Sequence, residues 1–185
     1  MKRYFETLKK NVGFTLIELL VVIGILGVLA AALVATIDPF EQLKIAQDTN
    51  TTNALVEYIN SVTRYYTTHS TFPWASVANG GANCNGGVAP SGLLLNSAGM
   101  VTCTTAIIAD NELKQAYSTS TSLQFIYITQ DVANNQTIGC FNPTSKSILH
   151  NSNTHYTSLG VDNPGQCGTV ALKDANPLLC FWCTR

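Results

Sequence analysis

One carboxylate stands inside an otherwise apolar run. Glu18 lies in Gly13-Phe14-Thr15-Leu16-Ile17-Glu18, and from Leu19 to Ala35 there is neither a charge nor a proline. Counted from Phe14, 22 helical residues reach about 33 Å at about 1.5 Å each, enough to cross a bilayer's hydrocarbon core. A charge held in hydrocarbon costs about 2.5–3.5 kcal/mol on insertion scales, so it is kept for a partner. Scission after Gly13 would create one, an α-amino group on Phe14, four residues before Glu18.

The other chemistry-bearing residues point to covalent structure more than to catalysis. Six cysteines, Cys84, Cys103, Cys140, Cys167, Cys180 and Cys183, all follow the apolar run. An even count on the outer side of a membrane reads as up to three disulfides. Cys84 and Cys103 would staple a long loop. Cys180-Phe181-Trp182-Cys183 is a C-x-x-C pair, but a redox role needs a helix start in a βαβ setting, and a zinc site needs two more ligands. His69, His150 and His155 show no ligand spacing. The favoured pairing is therefore Cys84–Cys103, Cys140–Cys167 and Cys180–Cys183, with Cys140 bonded into the C-terminal pair as the rival. No G-x-S-x-G elbow, phosphate loop or H-E-x-x-H is present. Asp110 with Glu112, and Asp162 with Asp174, read as solvated surface acids.

The string Gly13-Phe14-Thr15-Leu16-Ile17-Glu18, behind a basic leader and ahead of an apolar span, closely resembles the cleavage and methylation signal of type IV prepilins and type II secretion pseudopilins. The resemblance implies that a prepilin peptidase cuts after Gly13 and N-methylates Phe14. It also implies that Glu18 sets the register of assembly by meeting the terminal amine of a neighbouring subunit. The implied partners are that peptidase, other pilin or pseudopilin subunits, and an assembly ATPase with its platform protein. Major pseudopilins often bind calcium in the head, and Asp162, in Asp162-Asn163-Pro164-Gly165, is the weak candidate for it here. No other cofactor is implied. Many members of this group carry a proline shortly after the glycine that corresponds to Gly27; here Ala35 occupies that neighbourhood and the first proline is Pro39. Together with the aromatic-proline junction Phe72-Pro73-Trp74, this leans towards a type II secretion pseudopilin. The rival is a membrane-anchored extracellular binding or enzymatic domain that uses the signal only for export.

The alternatives for the N-terminus are an ordinary secretory signal, with Ala30-Ala31-Ala32 as its cleavage pattern, and an uncleaved anchor. The apolar run exceeds the usual h-region of about 7–15 residues, and Glu18 would have no reason to sit in it. Lys2, Arg3, Lys9 and Lys10 against Glu6 give the leader +3, which leaves −4 for the remainder of a chain whose net charge is −1. The positive leader places residues 1–13 in the cytoplasm and the head outside, first as a single-pass membrane protein and then in an extracellular or periplasmic filament. The negative remainder argues against a nucleic-acid face. Only 11 % of residues are charged, against about 25 % in ordinary globular domains, which suits a subunit packed among copies of itself.

Four segments must position these residues: a leader (1–13), a membrane or filament-core helix (14–36), an amphipathic second half of that helix (37–67), and a globular head (68–185). Asp38 is a good N-cap, Pro39 suits the first helical position and Glu41 suits a capping box, so a kink is expected at Asp38-Pro39. Leu55, Tyr58, Ile59, Val62, Tyr65 and Tyr66 form one apolar stripe meant for a sheet. Phe40, Leu43 and Ala46 extend the stripe backwards, and the polar run 47–53 between the two groups is a poor helix former and is expected to pack weakly. Residues 75–103 read as a loop and 105–117 as a short helix. Strands are expected around Leu123–Ile128, Thr137–Asn142 and Lys146–His150, the first pair joined by a turn from Asp131 to Gln136. Residues beyond 151 read as largely irregular and tied down by cysteines. The class is α+β, pilin-like: a long kinked N-terminal helix on a small antiparallel sheet.

Overall fold

A computed structural model describes residues 13–36 and 38–184. They divide into two compact units, the boundary falling between Pro39 and Phe40. The first is a single helix, α1 (Leu16–Thr36). Its described side chains, from Leu16 to Val34, are all exposed, and that stretch is long and apolar enough to cross a membrane.

The second unit opens on α2 (Pro39–His69), with Pro39 as its first residue. The stripe works as its spacing requires. Leu55, Tyr58, Val62 and Tyr65 recur every third or fourth residue and are buried. Five strands follow in the sheet order β1-β2-β3-β5-β4: β1 (Leu93–Leu94), β2 (Ile126–Asp131), β3 (Gln136–Phe141), β4 (Thr154–Tyr156) and β5 (Phe181–Thr184). Every pairing is antiparallel. The β2–β3 hairpin turns where the sequence predicts: Asp131 Oδ1 accepts from the backbone N–H groups of Ala133 and Asn134, and Asn135 adopts φ 53°. Helix and sheet approach closely at Gly139 on β3, where a Cβ atom would stand 2.9 Å from Leu55 and Ile59 side-chain atoms. Beyond α2, Trp74 stacks on Phe72 and donates from Nε1 to Gln130 Oε1 at 2.6 Å, tying the junction to β2.

The structure corrects five expectations. The loop read over 75–103 contains short 3₁₀ turns and β1, and it ends in α3 (Ala98–Ala109), so the helix expected at 105–117 begins earlier and stops earlier. Residues 121–125 are a 3₁₀ turn; the strand starts at Ile126, and Ile126 and Ile128 face the core while Phe125 is 52 % exposed. The third expected strand is a helical turn, α4 (Lys146–Leu149), with the Ser145 hydroxyl accepting from the Ile148 N–H. The C-terminal region is ordered: α5 (Pro164–Cys167) and α6 (Val170–Ala175) precede β5, which enters the sheet between β3 and β4. Finally, the favoured cysteine pairing fails in two of its three bonds.

The bonds are Cys84–Cys103, Cys140–Cys183 and Cys167–Cys180. Cys180 has extended backbone angles and Cys183 lies on β5. Three extended residues separate Cα atoms by about 10 Å, beyond the roughly 7 Å that a disulfide spans, so Cys180 and Cys183 cannot bond each other. Cys183 instead stands directly opposite Cys140 in the β3–β5 register. The bond favoured between Cys140 and Cys167 therefore gives way to the rival, and Cys167 on α5 takes Cys180.

Candidate functional site

At the N-terminus of α1 the sequence Thr15-Leu16-Ile17-Glu18 forms a reciprocal cap. Thr15 is the residue before the helix and Glu18 its third residue. Glu18 Oε2 accepts from the Thr15 backbone N–H at 2.9 Å and from its hydroxyl at 2.8 Å, and Thr15 Oγ1 accepts from the Glu18 N–H at 3.3 Å. This T-x-x-E box satisfies two backbone donors that a helix start leaves open, and it places a carboxylate at the positive end of the helix dipole. The pattern is local and legible in sequence, although charge and hydropathy alone direct attention to Glu18 rather than to Thr15. Phe14 and Gly13 precede the helix, and both are exposed. The expected cleavage point, between Gly13 and Phe14, is therefore an accessible, non-helical peptide bond, one residue ahead of the box.

The remaining candidates separate into structural pairs. The six cysteines are bonded as above. The surface acids each meet a cation-capable side chain rather than each other: Asp110 with His69 at 3.2 Å, Asp174 with His150 at 2.7 Å, Asp162 with His155 at 3.5 Å, and Glu112 with Arg64 at 3.0 Å. All three histidines thus sit on aspartates. Asp162, the calcium candidate, also forms a backbone bridge with Tyr156. Among the described residues no group of three or more His, Cys, Asp or Glu side chains gathers as a metal would need.

The residue that sequence reasoning missed is Asp48. It lies in the polar run expected to pack weakly, yet it is only 3 % exposed. Its Oδ2 accepts from the Ser145 N–H at 2.8 Å and the Ser145 hydroxyl at 2.7 Å, and its carboxylate also accepts from the N–H and hydroxyl of Thr144. Two turns earlier on α2, Glu41 Oε1 accepts from the Lys146 N–H at 2.6 Å and the Ser147 N–H at 3.3 Å. Four successive backbone donors, from Thr144 to Ser147 at the start of α4, are therefore held by two acids of one helix. The stripe expected to continue through Phe40, Leu43 and Ala46 does not, since all three are exposed; the clamp holds this end of α2 instead, and charge-assisted bonds of this kind are stronger than neutral ones. It is a scaffold: its acceptor positions are filled by the protein's own donors.

No curated protein and no solved structure matches the chain. Residues 8–34 match the family described as the prokaryotic N-terminal methylation motif, which implies processing by a prepilin peptidase and assembly with other pilin subunits. The match spans the capped start of α1, its carboxylate and its exposed apolar length; on these grounds the chain carries the prepilin-type signal of type IV pilins and pseudopilins.

Proposed function

We propose that the chain is a structural subunit of a pilus-like filament, of the type II secretion pseudopilin kind, which polymerises through its apolar N-terminal helix. The observation that carries this reading is the coincidence of the matched signal with an apolar helix that buries none of its described side chains. Such a surface is stable in a bilayer, and outside one it must be covered. A bundle of identical helices covers it. Within that bundle Glu18 needs a cation, and the amine on a neighbour's Phe14 supplies one after cleavage. The capping box is compatible with this. Oε2 takes both Thr15 donors, which leaves Oε1 to accept from an incoming amine. In this reading the leader stays in the cytoplasm, the head lies outside, Asp38 and Pro39 mark the kink of the long helix, and an assembly ATPase and platform protein drive extraction.

The test pairs two measurements on cells that contain an active prepilin peptidase and its assembly machine. Mass spectrometry of the mature N-terminus is expected to show a chain that begins at N-methylated Phe14, and imaging is expected to show filaments that disappear in Glu18→Ala. A start near Leu33 would mark an ordinary secreted domain. An intact Met1, alongside a control prepilin that is cut, would mark a static anchor. Correct processing with full function of the head in Glu18→Ala would favour the exported binding or enzymatic domain.

A further inference from the structure

The second unit holds a cavity of about 330 Å³ between the polar run of α2, the 3₁₀ turn before β2, and the end of β3. That volume is at the lower end of the range of small-ligand sites, about 300–1,000 Å³. It is lined by Gln47, Asn50, Thr121, Ser122 and Gln124, none of whose side chains hydrogen-bonds to another of the described residues. Phe125 lines the same cavity and leaves half of its surface open. Asp48 also lines it with its oxygens filled, and among the described residues no Lys, Arg or His does. The recognition chemistry is therefore neutral.

We infer that this cavity binds a neutral sugar ring. Three free carboxamides offer donors and acceptors side by side, and two hydroxyls offer both from one atom. Adjacent hydroxyls of a pyranose require this combination. The exposed face of Phe125 provides an apolar platform for the C–H face of the ring. An ionic ligand would find no counter-charge. An extended peptide would find no free strand edge, because Phe141 is paired on both sides, with Ile126 and Trp182. The site is independent of the filament reading, which rests on α1.

The test uses the mature full-length chain in zwitterionic micelles whose detergent carries no sugar head group. Saturation-transfer NMR is recorded with D-glucose, D-galactose, D-mannose and N-acetyl-D-glucosamine. At least one is expected to bind with a Kd on the order of millimolar, as its few heavy atoms allow, and to receive saturation mainly at its ring C–H protons. Phe125→Ala and Gln124→Ala are each expected to weaken binding about tenfold with the denaturation midpoint unchanged, since both side chains are exposed. The inference is overturned if none of the four sugars shows transfer, or if transfer survives Phe125→Ala undiminished. It is also overturned if Gln124→Cys cross-links neighbouring subunits in assembled filaments, because the cavity is then covered by a second copy.

Discussion

Removal of the Asp48 carboxylate should cost the second unit a large part of its stability. Ser145 is fully buried, so Asp48→Ala strands its N–H and its hydroxyl, at about 1–3 kcal/mol each. Thr144 is exposed; its two donors recover water and add about 1 kcal/mol between them. The expected loss is about 5 kcal/mol, a substantial share of the 5–15 kcal/mol typical of a whole domain. At roughly 2–4 °C per kcal/mol for a chain of this size, Tm should fall by about 10–20 °C. Asp48→Asn keeps one acceptor oxygen for Ser145 and should cost only about 1–2 kcal/mol. Glu41→Ala removes a half-exposed acceptor and should cost about 1 kcal/mol. Urea denaturation of the mature protein in micelles, followed by the fluorescence of Trp74 and Trp182, reads all three. A loss below about 1 kcal/mol in Asp48→Ala, or equal losses in Asp48→Ala and Glu41→Ala, would refute the claim that a buried, charge-assisted clamp holds this end of α2.

Three further outcomes are expected. Gly139→Ala drives a methyl group into Leu55 and Ile59 at 2.9 Å and should destabilise by about 1–3 kcal/mol; truncating Leu55 in the same chain should recover part of that loss, and additive losses would speak against the contact. Burial raises the phenol pKa of Tyr58 and of Tyr117, so both favour the folded state fully below the unfolded value of about 10 and progressively less above it. Tm should therefore fall above about pH 10, with two phenolate absorbance changes appearing only on unfolding; simultaneous titration of every tyrosine of the mature chain in a still-folded protein would contradict this. Cys140→Ser with Cys183→Ser opens a link across 43 positions and should cost about 4 kcal/mol in the chain-entropy account, whereas Cys140→Ser with Cys167→Ser should leave two unpaired partners and yield mixed disulfides on a non-reducing gel.

The parts of this fold that were legible in the sequence are those decided by neighbours along the chain. The apolar run of α1, the three-to-four spacing of Leu55, Tyr58, Val62 and Tyr65, and the Asp-Asn turn of the hairpin each carry their own instruction. The prepilin signal is of the same kind, contiguous and local. What was not legible depends on distant pairing. Asp48 sits among Asn and Thr residues and looks solvated; its donors are 96 and 97 positions away. The strand β5 spans four residues, too few to declare a period, and becomes a strand because β3 and β4 leave a place for it. Cys183 follows that strand, so an error about β5 became an error about two disulfides. The strand expected from Leu123 begins only at Ile126, because the 3₁₀ turn that fixes where β2 begins has no distinctive residue.

The interior place of β5 has a consequence for biogenesis. A sheet whose penultimate position is filled by residues 181–184 stays open until those residues have been made and delivered. Cys140 therefore waits as a free thiol while the next 43 residues leave the ribosome, about 2–9 s at ordinary synthesis rates. During that interval Cys167 arrives first, and it is the wrong partner. Correct maturation thus requires either that oxidation be slower than delivery or that an isomerase repair the early bond, and this chain should depend on the thiol-exchange capacity of the compartment into which its head emerges.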